Sequence, residues 1–145
     1  MPISTVVNHI RRHLDTVIAG PVQLAEVRRH VEWILGDGLE GYRELIDARG
    51  ATEPYWTASE IWKVPLLLGK PNSHQYGWRA IVVDTKAKFA LARLFATIAS
   101  RHVPVAVFDD LDKAKTWLSR SDDPISLSLS SESQAAERQP RAARR

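Results

Sequence analysis

Four carboxylates stand where strand-like runs end: Asp47 after YRELI, Asp84 after RAIVV, and Asp109 with Asp110 after PVAVF. If those runs are parallel strands, their carboxyl ends share one sheet edge, where open α/β folds bind ligands. Oxygen donors gathered there suit Mg²⁺. The same residues also have a plainer use. Asp84 precedes one predicted helix and Asp109 or Asp110 another, where aspartate is a favoured cap, and Arg49 stands ready to pair with Asp47. No dedicated ligand spacing accompanies them, so no metal site is expected. His9 and His13 have the i, i+4 spacing of a metal pair on a helix, but a hairpin reading puts them on different strands and no third ligand is at hand. Serine, histidine and aspartate are all present without a G-x-S-x-G setting, and Gly36-Asp37-Gly38 opens no helix that might cradle a phosphate. No catalytic residue and no cofactor are expected.

The aromatic residues are a different kind of signal. Tyr55, Trp56, Trp62, Tyr76 and Trp78 all fall in or beside one predicted helix and the loop after it. Such a cluster is either a satellite core beneath the loop or the wall of a groove for a small molecule or a partner protein.

The elements that must position these groups follow from hydrophobic period. Ser4 to Ala19 reads as two strands joined near Arg11, because Thr5, Val6, Val7, Thr16, Val17 and Ile18 are β-branched and Leu14, Thr16 and Ile18 alternate with their neighbours. Gly20-Pro21 ends the second strand. Leu24, Val27, Val31, Ile34 and Leu35 form one apolar helix stripe, stopped at Gly36-Asp37-Gly38. Tyr42 to Ala48 is the next strand, and Thr57 with Glu60 has the spacing of a capping box opening a second helix. Pro65 must kink or end that helix, and Gly69 to Trp78 is a loop. Arg79 to Asp84, through its Ala80 to Val83, and Pro104 to Phe108 are short continuous apolar runs of the kind a buried parallel strand needs. Between them Lys86 to His102 is a long helix, apolar around most of its girth. Phe89, Leu91, Leu94, Phe95 and Ile98 cannot all face one sheet, so a neighbouring helix or a second subunit is required. Asp110 to Leu118 is the last helix.

An N-terminal hairpin followed by right-handed βα units implies an α/β layered fold with a mixed, mostly parallel five-stranded sheet and about four helices. The stretch from Arg79 to Leu118 resembles the second half of the bacterial SpoIIAA-like, or STAS-type, proteins. The resemblance is carried by Phe89, Leu91, Ala92, Arg93 and Phe95, then by Val107, Phe108, Asp110, Ala114, Trp117 and Leu118. The front half agrees in layout, with GPVQLAEV opening a helix and ELIDARG as a strand, so the likeness runs from Ile3 to Leu118. It implies a regulatory or protein-interaction domain without catalysis, acting through a protein partner or as a homodimer. The alternative it implies is a carrier of small hydrophobic ligands or lipids, since SpoIIAA-like folds resemble lipid-transfer domains; an enzyme ranks third. Anti-anti-sigma factors of this type carry a phosphorylatable serine in the place that Thr57 and Ser59 occupy here. The aspartate–serine–serine–glycine signature is absent, which counts against phosphorylation of Thr57 or Ser59, and Thr57 with Glu60 three later reads as a plain N-cap.

Composition sets the outer bounds. The chain has 145 residues and no cysteine, which suits one domain and excludes disulfides, thiolate metal sites and a cysteine nucleophile. MPISTVVNHIRRH lacks a signal peptide's apolar core, and no apolar run approaches the roughly 20 residues that span a bilayer, so a cytoplasmic location is expected. The domain is expected over residues 1–118. Residues 119–145, rich in Ser and Arg, read as a disordered tail, within which Ile125 to Leu129 alternates as a short edge strand would. Arg138, Arg141, Arg144 and Arg145 crowd its end without interleaved aromatics, so nucleic acid is not the expected partner.

Overall fold

A computed structural model describes residues 2–69 and 75–120. The expected tail, including the alternating run at 125–129, and part of the 69–78 loop lie outside these residues.

The β-branched amino terminus folds as the hairpin its alternation requires. Strands β1 (Ile3–Asn8) and β2 (His13–Gly20) pair antiparallel, with Thr5 opposite Thr16. Arg12 turns the chain at a positive φ of 51°, and Asn8 Oδ1 accepts the Arg11 N–H across the turn. Helix α1 (Leu24–Gly36) follows, with Glu26 reaching back to the Gln23 N–H at its start. β3 (Arg43–Ala51) runs parallel to β2 and is longer than its apolar stretch, because Gly50 and Ala51 go on pairing with Ala19 and Gly20.

The second expected helix is divided. α2 (Ala58–Ile61) and α3 (Val64–Leu68) are separated at Trp62–Lys63, which places Pro65 in the first turn of α3, where its missing N–H costs nothing. β4 (Arg79–Val82), α4 (Lys86–Ala99), β5 (Val105–Phe108) and α5 (Leu111–Arg120) complete the chain. α4 ends at Ala99 rather than His102, since the N–H groups of His102 and Val103 both turn back to the Ala99 carbonyl. α5 extends to Arg120, two residues into the segment expected to be tail.

The sheet has the order β1-β2-β3-β4-β5, with every pair after the hairpin parallel. RAIVVD and PVAVF are thus parallel neighbours, Ile81 opposite Val107. Alternation splits each strand between two layers. Leu45, Ala80, Val82 and Phe108 face α5 and pack on Ala114, Trp117 and Leu118. Glu44, Ile46, Ala48, Arg79, Ile81, Val83 and Val105 face the other way, toward α1, α3 and α4. α4 packs on that face and on α2 and α3 as well, so the second neighbour its girth demands comes from within the chain.

Candidate functional site

The helical layer does not close completely on its sheet face. Between β2–β5 and helices α1, α3 and α4 lies a cavity of about 250 Å³. Its wall is almost wholly apolar, with Val31 and Ile34 from α1, Ile46, Ala48, Ile81 and Val83 from the sheet, and Ala92 and Phe95 from α4. Thr52 and Pro54, the exposed lining residues, belong to the β3–α2 connection, so the opening lies there.

The inner end is polar and buried. Glu44 is 2 % exposed, Thr16 2 % and Arg79 4 %, and all three line the cavity. An ionised carboxylate only accepts hydrogen bonds. Thr16 Oγ1 therefore donates to Glu44 Oε2 at 2.5 Å, and His30 Nε2 donates to the same oxygen at 2.8 Å. Thr5 donates to Thr16 in turn, at 2.9 Å. Arg79 Nε stands 3.5 Å from Glu44 Oε1, an ion pair in a dry setting. Burial pushes the Glu44 carboxyl up, but the His30 hydrogen bond, the Arg79 charge and the Thr16 hydroxyl together hold it below the ordinary value. Burial pulls Arg79 down, opposed by the charges of Glu44, Tyr76 and Glu40. In this chain of bonds the hydroxyl donates to the carboxylate, not to the imidazole, so His30 is no base for Thr16.

Arg79 is fixed by its other nitrogens. Nη1 donates to the carbonyls of Tyr42 and of Gly77, the latter at 2.9 Å. Gly77 is there because nothing larger fits: a Cβ would sit 2.5 Å from both the Gly41 and the Tyr42 carbonyl oxygens. Nη2 is buried and has no hydrogen-bond partner among the described residues.

The aromatic candidates divide between the faces. Trp56 lines the cavity, donating Nε1–H to the Val22 carbonyl at 2.6 Å, and Tyr55 and Tyr76 line it as well. The Tyr76 ring lies 5.8 Å from the Arg79 guanidinium carbon. Trp62 is 65 % exposed on the α2–α3 segment beside Leu66, 82 % exposed. Trp78 is on the opposite side of the sheet, edge-on to Trp117 at 4.8 Å.

The strand-end acids are also placed. Asp47 lies within β3 and binds Arg49 through both oxygens, at 2.9 and 2.8 Å, which holds its carboxyl below the ordinary value. Asp84 accepts Lys88 Nζ at 2.9 Å and is lowered for the same reason. Asp110 Oδ1 caps α5, accepting the N–H groups of Asp112 and Lys113, and Asp109 is exposed. Among the described residues no group of three or more His, Cys, Asp and Glu is arranged to hold a metal ion. Thr57 Oγ1 accepts the Glu60 N–H at 3.2 Å, the cap that its spacing predicted, and Ser59 is exposed in the same short turn.

The polar inner end was not among the expected site residues, although its signals were in the sequence. His30 falls three after Val27 and four before Ile34, on the apolar stripe of α1. Glu44 alternates with Ile46 and Ala48, and Arg79 with Ile81 and Val83, so both face inward with the apolar residues. A charged residue in an inward register must be paired.

No family model matches the chain, and no curated protein does. Among solved structures, it is similar to an uncharacterised protein of the DUF3478 family with a SpoIIAA-like fold, from Shewanella loihica PV-4. The match has a TM-score of 0.50 at 18 % identity and covers 80 % of this chain and 91 % of the other. The chain has a SpoIIAA-like fold, and no described helix is long and apolar enough to cross a membrane.

Proposed function

We propose, from a SpoIIAA-like fold whose helices stand off one sheet face, that this chain is a binding domain for small, largely apolar molecules. One observation carries the reading: the apolar cavity of about 250 Å³ that opens beside the β3–α2 connection. An apolar cavity of that size, larger than the ~150 Å³ that takes up benzene, is filled more favourably by hydrocarbon than by water, so the occupant is a small apolar molecule. Methyl NMR tests this with oct-1-ene as titrant. Saturable shifts of the Ile46, Ile81 and Val31 methyls are expected in the parent chain, with loss of binding in Ala92→Phe, whose ring fills the space. Unmoved methyls, or undiminished binding in Ala92→Phe, overturn the reading.

A second reading, a regulatory domain that meets a protein partner or a second copy of itself, is favoured by exposed Trp62 and Leu66. Apolar groups held in water on one short segment are a common contact surface. Light scattering across a concentration series separates the self-pairing form: a constant monomer mass removes it.

A further inference from the structure

The sheet ends on an unguarded edge. Among the described residues no strand pairs with the outer side of β1, and its sequence, ISTVVN, carries neither a charge nor a proline to discourage one. The Pro2 carbonyl accepts the Ala19 N–H at 2.9 Å, and hydrogen-bonded pairs alternate along an antiparallel ladder. Ser4 and Val6 therefore bond to β2, while the N–H and C=O groups of Ile3, Thr5 and Val7 point away from it. The side chains of those same three residues face α1. Between β1 and that helix runs a groove of about 260 Å³, walled by Ile3, Thr5, Glu26, His30 and Trp33. A bare backbone edge beside a groove suits one kind of occupant, an extended segment with apolar residues at every second position.

The chain holds such a segment. Ile125, Leu127 and Leu129 alternate with Ser126 and Ser128. The segment also departs from the right place. α5 ends at Arg120, and one guanidinium ties that end to the hairpin turn: Arg43 Nη1 donates to the Leu118 carbonyl at 3.0 Å and Nη2 to the Arg11 carbonyl at 3.4 Å. A strand beyond β1 lies about two spacings of ~4.8 Å from β2, a distance that residues 121–124 cover at ~3.3 Å per residue. Such a path takes Asp122 and Asp123 past the turn that exposes Arg11 and Arg12, so opposite charges meet along it. β1 ends at that turn, so a chain continuing along its edge runs antiparallel to it. We infer that residues 125–129 form a sixth strand on β1 of the same chain, with Leu127 opposite Thr5 and Ile125, Leu127 and Leu129 in the groove against α1. In this register Ile125 meets Val7 and Leu129 meets Ile3, so every apolar side chain of the segment falls on the α1 face and both serines on the other. The opposite edge, β5, is only four residues long and stands across the sheet from the hairpin. The inference is independent of the cavity reading.

Backbone NMR on the full chain tests the pairing. An Hα–Hα contact between Val6 and Ser126 is expected, because these two form a non-hydrogen-bonded pair of the new ladder, where α-carbons approach to ~4.5 Å. The Thr5 N–H is expected to exchange slowly with solvent. Leu127→Pro removes the N–H opposite it and is expected to speed that exchange at least about tenfold, the factor one hydrogen bond commands. The Val6 N–H, which bonds to β2, is expected to stay as it was. The parent measurements stand whatever the variant does. Mixing isotope-labelled with unlabelled chains shows whose segment is bound, and the Val6–Ser126 contact is expected within one chain. Absence of that contact, or a Thr5 N–H that exchanges in the parent as fast as in Leu127→Pro, overturns the inference. A contact found only between chains overturns it too, and gives the edge to a second copy.

Discussion

The His30 imidazole on α1 and the Glu44 carboxylate on β3 meet at 2.8 Å across the inner end of the cavity, tying the helical layer to the sheet where apolar contact between them is interrupted. The bond makes Glu44 an ionised group in the protein interior. Its charge is tolerable only because His30, Thr16 and Arg79 all point at it.

Acid should therefore destabilise the fold through Glu44. Its folded pKa lies below the ordinary 4.5, so on acidification the unfolded chain takes up the proton first. The stability Glu44 contributes is complete above about pH 5 and is lost as pH falls through 4.5 and then through the lower folded value. Asp47 and Asp84 are lowered too and act in the same direction. Urea denaturation between pH 6 and 3 should show a falling stability whose slope is shallower in Glu44→Gln. Equal slopes would remove Glu44 from the account.

Removing one partner of the buried pair should be worse than removing both. Glu44→Leu removes the ion-pair partner of buried Arg79 and is expected to cost ~3–5 kcal/mol. Glu44→Leu combined with Arg79→Met should recover most of that loss, a coupling readable in a double-mutant cycle of denaturation midpoints. Additive losses would mean that the two charges do not act on each other.

Gly77→Ala tests how Arg79 is held. The new methyl would meet backbone oxygens of Gly41 and Tyr42 at 2.5 Å, and backbone cannot yield as a flexible side chain can. A loss of about 1–3 kcal/mol is expected. The Arg79 guanidinium should lose its fixed position with it, because Tyr42 and Gly77 provide the two carbonyls that hold Nη1. An unchanged melting temperature would contradict the close approach.

The opposite face should be separable. Trp117 packs on Trp78 and Phe108 beneath α5, across the sheet from the cavity. Trp117→Ala is expected to cost up to about 3 kcal/mol and to leave ligand affinity unchanged in the variant that still folds. Thermal melts and calorimetry on one sample check both halves of that expectation.

Much of this architecture can be read directly from residue patterns. The hairpin, the βα succession and the Thr57–Glu60 cap rest on local period and local chemistry, which tertiary packing did not override. The end of β3 could not be read that way, because Gly50 and Ala51 are strand only by pairing with β2. Nearness in sequence misleads for the aromatic cluster. Trp78 is two residues from Tyr76, yet its step along the strand puts it with Ala80 and Val82 on the α5 side. The cavity itself has no one-dimensional signature, since it is a shortfall in packing between elements that each look complete. Its polar end does have one: His30, Glu44 and Arg79 are charged or polar residues in registers otherwise filled by apolar ones.

The most direct test of the central claim is a crystal of this chain under xenon pressure, since xenon occupies dry apolar cavities and little else. An anomalous peak is predicted on the helical side of the sheet, between Val31, Ile81 and Phe95. Density there filled by ordered water, or side chains collapsed into the space with no xenon bound, would contradict it.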